Sequence, residues 1–203
     1  MRALTRFALP LIASFAFLSS SQAGTIIDTG SVAGSYYGGA SLDGRQWLGT
    51  SFLLDKDYTI TGLNGWMSSP RGGDLQVNIT SLANGKPGGN LYSSTFTVAA
   101  GMNQAWSGVS GLDWSLSAGS YAVTFTPAIG FNASMARNAP VQIGQFFFTD
   151  DDGVWRTEPA SMGLQVFGVE GAGGTTGDVP EPASIALMGI ALAGLAASRR
   201  KRA

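Results

Sequence analysis

Leu75-Gln76-Val77-Asn78-Ile79-Thr80 alternates apolar and polar side chains, so Leu75, Val77 and Ile79 share one face of an extended chain while Gln76, Asn78 and Thr80 share the other. A period of two marks a strand packed on one side. Tyr121-Ala122-Val123-Thr124-Phe125-Thr126 repeats the pattern. Tyr58-Thr59-Ile60-Thr61, Ser94-Thr95-Phe96-Thr97-Val98, Phe146-Phe147-Phe148 and Gly163-Leu164-Gln165-Val166-Phe167 supply further strands. Between them lie turn signals: Asp43-Gly44, Asn64-Gly65, Arg71-Gly72-Gly73, the run from Asn84 to Asn90, Ala118-Gly119 and Asp152-Gly153. Each supplies residues that tolerate positive φ, or a proline with its φ fixed. No amphipathic helix of ordinary length fits between such breaks. The pattern predicts an all-β fold, an antiparallel β-sandwich with jelly-roll-like connections. Trp47, Trp66, Trp106, Trp114 and Trp155 are expected between or against its sheets, with core burial favoured for each because large aromatics dominate such cores.

Composition narrows the chemistry. The chain has 203 residues, 44% of them apolar and only 12% charged, with 29 glycines. That suits one packed, turn-rich domain, expected over residues 24–170, rather than a disordered chain. Cysteine is absent, so no disulfide or thiolate is available and a hydrophobic core must stabilise the fold. Histidine is absent too, which removes the commonest general base and transition-metal ligand. A serine nucleophile would have to draw on Lys56 or Lys86, neither in a recognisable motif. Paired carboxylates facing each other across a cleft are the one catalytic chemistry left open, that of a polysaccharide hydrolase. The balance favours a protein that is not an enzyme.

Charge is segregated along the chain. Six of the twelve basic residues sit near the two termini, and from Gly24 to Asp178 six basic residues face twelve acidic ones, a net of −6. Phosphate backbones would be repelled, so nucleic acid is excluded as a partner. Residues 1–23 carry Arg2 and Arg6, an apolar stretch from Phe7 to Leu18, and the polar run Ser19-Ser20-Ser21-Gln22-Ala23. That is the build of a secretory signal peptide, expected to form a helix and to be cleaved by signal peptidase between Ala23 and Gly24. Residues 171–178, rich in Gly and Thr, read as a flexible linker.

Residues 179–203 have three parts in fixed order. Val179-Pro180-Glu181-Pro182 cannot continue a helix or pair inside a sheet, so it stays extended around one readable charge. From Pro182 to Ser198 no residue is charged. As a single short transmembrane helix these residues would span about 25 Å, against a hydrocarbon core of about 30 Å. Arg199, Arg200, Lys201 and Arg202 then form a basic stop that prefers the cytoplasmic side, in agreement with an N-terminus delivered outward. This tail resembles the PEP-CTERM sorting signal. The resemblance implies processing by an exosortase, a membrane-embedded cysteine transpeptidase, in Gram-negative bacteria that often make extracellular polysaccharide. It implies an inner-membrane-anchored precursor and a mature protein at the cell surface or outside the cell. The central stretch also resembles choice-of-anchor β-sandwich domains, through Phe52 after Gln46-Trp47, the segment Tyr58 to Leu63, Lys86-Pro87-Gly88-Gly89, and Leu116 to Tyr121.

Two constellations bear on ligands. Asp150-Asp151-Asp152-Gly153 gathers three carboxylates at a turn, the hard oxygen donors that calcium requires, although without the alternating ligands and distal glutamate of an EF-hand loop. No other cofactor is expected. Aromatic faces together with Asp, Asn and Gln side chains are what a carbohydrate-binding module uses, and the chain is rich in these types. The sequence therefore predicts a non-catalytic envelope or extracellular protein, associated with exopolysaccharide or biofilm matrix, with a carbohydrate- or calcium-binding module as the alternative.

Overall fold

The computed structural model describes residues 23–32 and 38–171. The predicted signal segment up to residue 22, the linker from residue 172 and the whole sorting tail with its transmembrane helix lie outside the described residues. Within them the chain forms β1 (Gly24–Asp28), β2 (Ala40–Asp43), β3 (Leu48–Leu54), β4 (Tyr58–Ser69), β5 (Gly73–Ala83) and β6 (Lys86–Val98). There follow β7 (Gly101–Leu116), β8 (Gly119–Pro127), β9 (Asn132–Met135), β10 (Phe146–Phe148), β11 (Arg156–Glu158) and β12 (Leu164–Glu170).

These strands make two six-stranded antiparallel sheets packed as a β-sandwich. The first runs β1-β12-β4-β9-β2, with β7 on the other edge of β4; the second runs β11-β10-β3-β8-β5-β6. Only β1–β2, β5–β6 and β10–β11 keep consecutive strands in one sheet; the other connections cross between the layers. Leu75, Val77 and Ile79 are fully buried in the core, together with Phe125, Leu48, Phe52 and Phe146 of the same sheet and Ile60, Leu63, Met67 and Val166 of the facing one. Each such side chain contributes roughly 1.5–3 kcal/mol by leaving water. A chain without cysteine can be held together by that core alone.

Two turn expectations need correction. Asn64-Gly65 is no turn but lies mid-strand in β4, opposite Gly108 and Ser107 of β7. A Cβ on Gly65 would stand 2.6 Å from Met67 Cε, 2.7 Å from Met135 Cε and 3.0 Å from Phe125 Cζ. The glycine makes room for the core and does not bend the chain. In the run from Asn84 to Asn90 only Asn84-Gly85 turns, with φ of 52° and 76°, the left-handed pair of a two-residue hairpin. Lys86 already pairs with Ala83 and opens β6.

The tryptophans are the third correction. None of the five is fully buried: all are half-buried, Trp114 against the rim of the core, and the fully buried aromatics are phenylalanines. An indole N–H sealed between two apolar sheets would lack an acceptor. Trp66 avoids this by donating Nε1–H to the Val32 carbonyl at 2.9 Å.

Both described termini lie at one end of the sandwich, since Gly24 pairs with Gly168 and Glu170 pairs with Tyr58. The β3–β4 and β7–β8 turns are there too, with Gly171 N–H bonded to the Asp57 carbonyl and Ala118 N–H to the Asp57 carboxylate. The β2–β3, β4–β5, β8–β9 and β10–β11 loops occupy the opposite end.

Candidate functional site

Two of the three aspartates of the β10–β11 loop, Asp150 and Asp152, are brought together around a guanidinium. Arg156, at the start of β11, reaches Asp150 Oδ2 at 3.0 Å and both carboxylate oxygens of Asp152, at 3.1 and 2.6 Å. Asp151 faces the other way, 3.9 Å from Arg45 Nε. Hydrogen bonds from Arg156, and then from the Val154 N–H, hold the Asp152 carboxyl below the usual carboxylate range. Among the described residues no group of three or more acidic side chains is arranged to hold a metal ion. The positive charge between Asp150 and Asp152 is the protein's own.

Next to this loop, Asp43, Arg45, Asp150 and Asp151 edge a shallow depression of about 430 Å³. A second hollow, of about 490 Å³, lies between Arg45 and Arg71 over Phe131 and Gly130. The Asp43 carboxylate is occupied within its own turn, accepting the N–H groups of Arg45 at 2.9 Å and Gln46 at 3.2 Å. The carboxylates of Asp43, Asp150, Asp151 and Asp152 thus each face basic or N–H donors.

A different kind of site lies on the outer face of the second sheet. Register places Phe147, Gly49, Thr124, Asn78 and Ser93 side by side across β10, β3, β8, β5 and β6. Thr126, Gln76 and Thr95 form the next row toward the loop end. Asn78 is only 2% exposed and fully committed: Nδ2 donates to the hydroxyls of Thr124 and Thr126 at 3.3 and 3.2 Å, and Oδ1 accepts from Ser93 at 2.7 Å and Asn90 at 3.5 Å.

Over these rows runs a groove of about 200 Å³. Pro87, Gly88 and Asn90 of β6 wall it on one side, and Trp47 and Trp155 close it toward the loops. The two indoles meet at 6.2 Å between ring centres, and Trp155 also stands edge-on to Phe147 at 6.5 Å. Trp47 is fixed by its backbone, whose N–H donates to Thr149 Oγ1 at 2.9 Å. Trp155 lies one residue before Arg156, so the fork from Arg156 to Asp150 and Asp152 staples the loop that carries it.

The groove was not located from the sequence, although its signal was present. The polar half of Gln76-Val77-Asn78-Ile79-Thr80 reads as a solvated strand face, yet Asn78 and Thr80 are 2% exposed. A polar strand face that is itself buried indicates something built on top of it.

The other aromatic pairs have structural places. Trp66 and Trp106 are in register across β4 and β7, edge-on at 5.1 Å. Trp114 stacks on Tyr92 at 5.3 Å and 10°, joining edge strands β7 and β6, with Tyr92 donating to the Ser115 carbonyl.

The predicted processing residues are placed only in part. Ala23 directly precedes β1 and Gly24 is its first residue, exposed and paired with Gly168. Val179, Pro180, Glu181, Pro182 and the basic stop Arg199, Arg200, Lys201 and Arg202 lie outside the described residues. No curated protein matches the chain. Residues 178–201, however, match the family model of the PEP-CTERM protein-sorting motif, so this chain carries that motif and, with it, the mark of an exported protein whose membrane-anchored precursor is sorted by an exosortase.

Proposed function

We propose that the protein is a non-catalytic component of a Gram-negative cell surface or extracellular matrix, whose sandwich associates with exopolysaccharide after signal peptidase and exosortase have processed its two ends. The observation that carries this reading is the position of the tryptophans. Trp47 and Trp155, large aromatic side chains each able to bury roughly 150–250 Å², stand outside the core at the edge of a polar groove, in a domain that has phenylalanine to fill its core. Half-exposed indole faces beside Asn, Gln and Thr side chains suit sugar rings, which present apolar C–H faces and a rim of hydroxyls.

The non-catalytic part rests on the carboxylates. Asp43, Asp150, Asp151 and Asp152 are engaged by backbone N–H groups or by Arg45 and Arg156, rather than standing opposed and free across a cleft. Cleavage between Ala23 and Gly24 would leave β1 whole.

Protein recovered from the surface of exosortase-competent cells should begin at Gly24, lack the basic stop by mass spectrometry, and bind exopolysaccharide purified from the same cells without degrading it. Binding should survive removal of calcium. Absence of binding with and without calcium would defeat the association, and turnover of the polymer abolished by Asp43→Asn or Asp151→Asn would replace it with a hydrolase.

A further inference from the structure

Within the surface-association reading, on which this step rests, we infer that the outer groove of the second sheet is a subsite for one uncharged pyranose ring of a polysaccharide. Charge decides the class of sugar. The stretch from Gly24 to Asp178 carries a net of −6, yet no Asp, Glu, Lys or Arg lines the groove. A uronate or sulfated ring would enter an acidic domain and meet no cation. An amino sugar with a free ammonium would meet no carboxylate. The arginines that an acidic polymer would seek, Arg45 and Arg71, line a separate hollow at the loop end.

Size decides how much of the polymer is held. Pockets for drug-sized ligands run from roughly 300 to 1,000 Å³, so a groove of about 200 Å³ admits one ring with its neighbours passing outside.

The polar groups are poised in complementary states. Asn78 forms a floor whose hydrogen bonds are internal, and so is pre-organised. Thr126 accepts from Asn78 and therefore keeps its hydroxyl proton for a ligand oxygen. Asn90 spends its Nδ2 on Asn78, leaving its Oδ1 to accept. Gln76, half-buried beside Thr126 in the row toward the loop end, offers one donor group and one acceptor. A sugar hydroxyl both donates and accepts, and this set answers it with both. Trp47 and Trp155 lie at the mouth, where an indole face can cover the ring's C–H side.

The test is affinity electrophoresis of the full chain, in detergent, through gels containing dextran, galactomannan, mixed-linkage β-glucan or alginate. At least one neutral polymer should retard the protein, and alginate should not. Gln76→Ala should weaken retardation about five- to tenfold, the loss of one hydrogen bond, without lowering the melting temperature, and Thr126→Ala should weaken it at least as much while also lowering the melting temperature, because it removes an acceptor of Asn78. Trp155→Ala should abolish it; because that change also loosens the loop, the Gln76 and Thr126 variants keep the assignment falsifiable. Retardation by alginate alone, or wild-type affinity in Gln76→Ala and Thr126→Ala with loss in an Arg45→Ala, Arg71→Ala pair, would overturn the groove while leaving surface association intact. Binding to the cells' own exopolysaccharide with no neutral polymer retarding the chain would do the same. Failure with every polymer, that exopolysaccharide included, would remove both.

Discussion

Two sets of buried polar side chains cross the two sheets, and they differ in what surrounds them. In the second sheet, Asn78 and its register neighbours Thr124 and Ser93 form a network in which both amide groups of Asn78 are engaged. In the first, Ser68 lies opposite Ser134, and Gln104 adjoins Ala105, the partner of Met67. All three are at least nine-tenths buried, and neither hydroxyl nor either atom of the Gln104 amide has a hydrogen-bond partner among the described residues. Residue types are similar and burial is similar, yet only one set is joined by hydrogen bonds among the described residues. A buried polar group stabilises through its complement, and without one it costs its own desolvation.

The largest effect that would sharpen this contrast comes from Asn78→Leu. The change keeps most of the volume but strands the buried Thr124 hydroxyl, so stability should fall by about 2–3 kcal/mol, and the melting temperature by roughly 5–10 °C. Gln104→Leu should act in the opposite direction, gaining about 1 kcal/mol because an unpaired amide is replaced by a side chain that needs no partner. Thermal melts of the two variants side by side decide the matter. Losses of equal size would mean that the two sets are equivalent and that the contrast is wrong.

The same comparison shows where the sequence was readable. The core face of β5 was plain in Leu75, Val77 and Ile79, because a period of two with β-branched and Leu side chains has one inexpensive solution. The Arg71-Gly72-Gly73 turn was plain as well, with φ of 68° at Gly72 and 130° at Gly73. β7 was not. Residues 101–116 place Gly108, Ser110 and Gly111 where a strand signal should be, and the strand exists because β4 offers it a partner along nearly its whole length. Asn64-Gly65 misled for a related reason: local turn chemistry was outweighed by the need for space beneath Phe125. The groove was hidden at a further remove, since Gln76, Asn78 and Thr126 become a surface only once β5, β8 and β6 are in register. The sorting tail, by contrast, is a linear signal, and its three parts were legible without any fold.

The smallest expected effect separates the two sets by pH. The first-sheet set contains no titratable group. The groove depends on Trp155, whose loop is stapled by Arg156 to Asp150 and Asp152, with Asp151 turned toward Arg45. Asp152 is ionised in the fork and its folded-state pKa is depressed, chiefly by Arg156. A depressed carboxyl contributes stability above its unfolded value of about 3.9 and loses it only as pH falls through the lower, folded value. The Trp155 indole N–H resonance should therefore stay in place from neutrality through the ordinary aspartate range and move only below it, while the Gln104 amide resonances do not titrate. Arg156→Gln removes the main cause of the shift, so the Trp155 transition should rise toward the ordinary value. If the wild-type transition already sits there, the fork does not hold the loop, and the groove mouth depends on the Trp47–Trp155–Phe147 contacts alone.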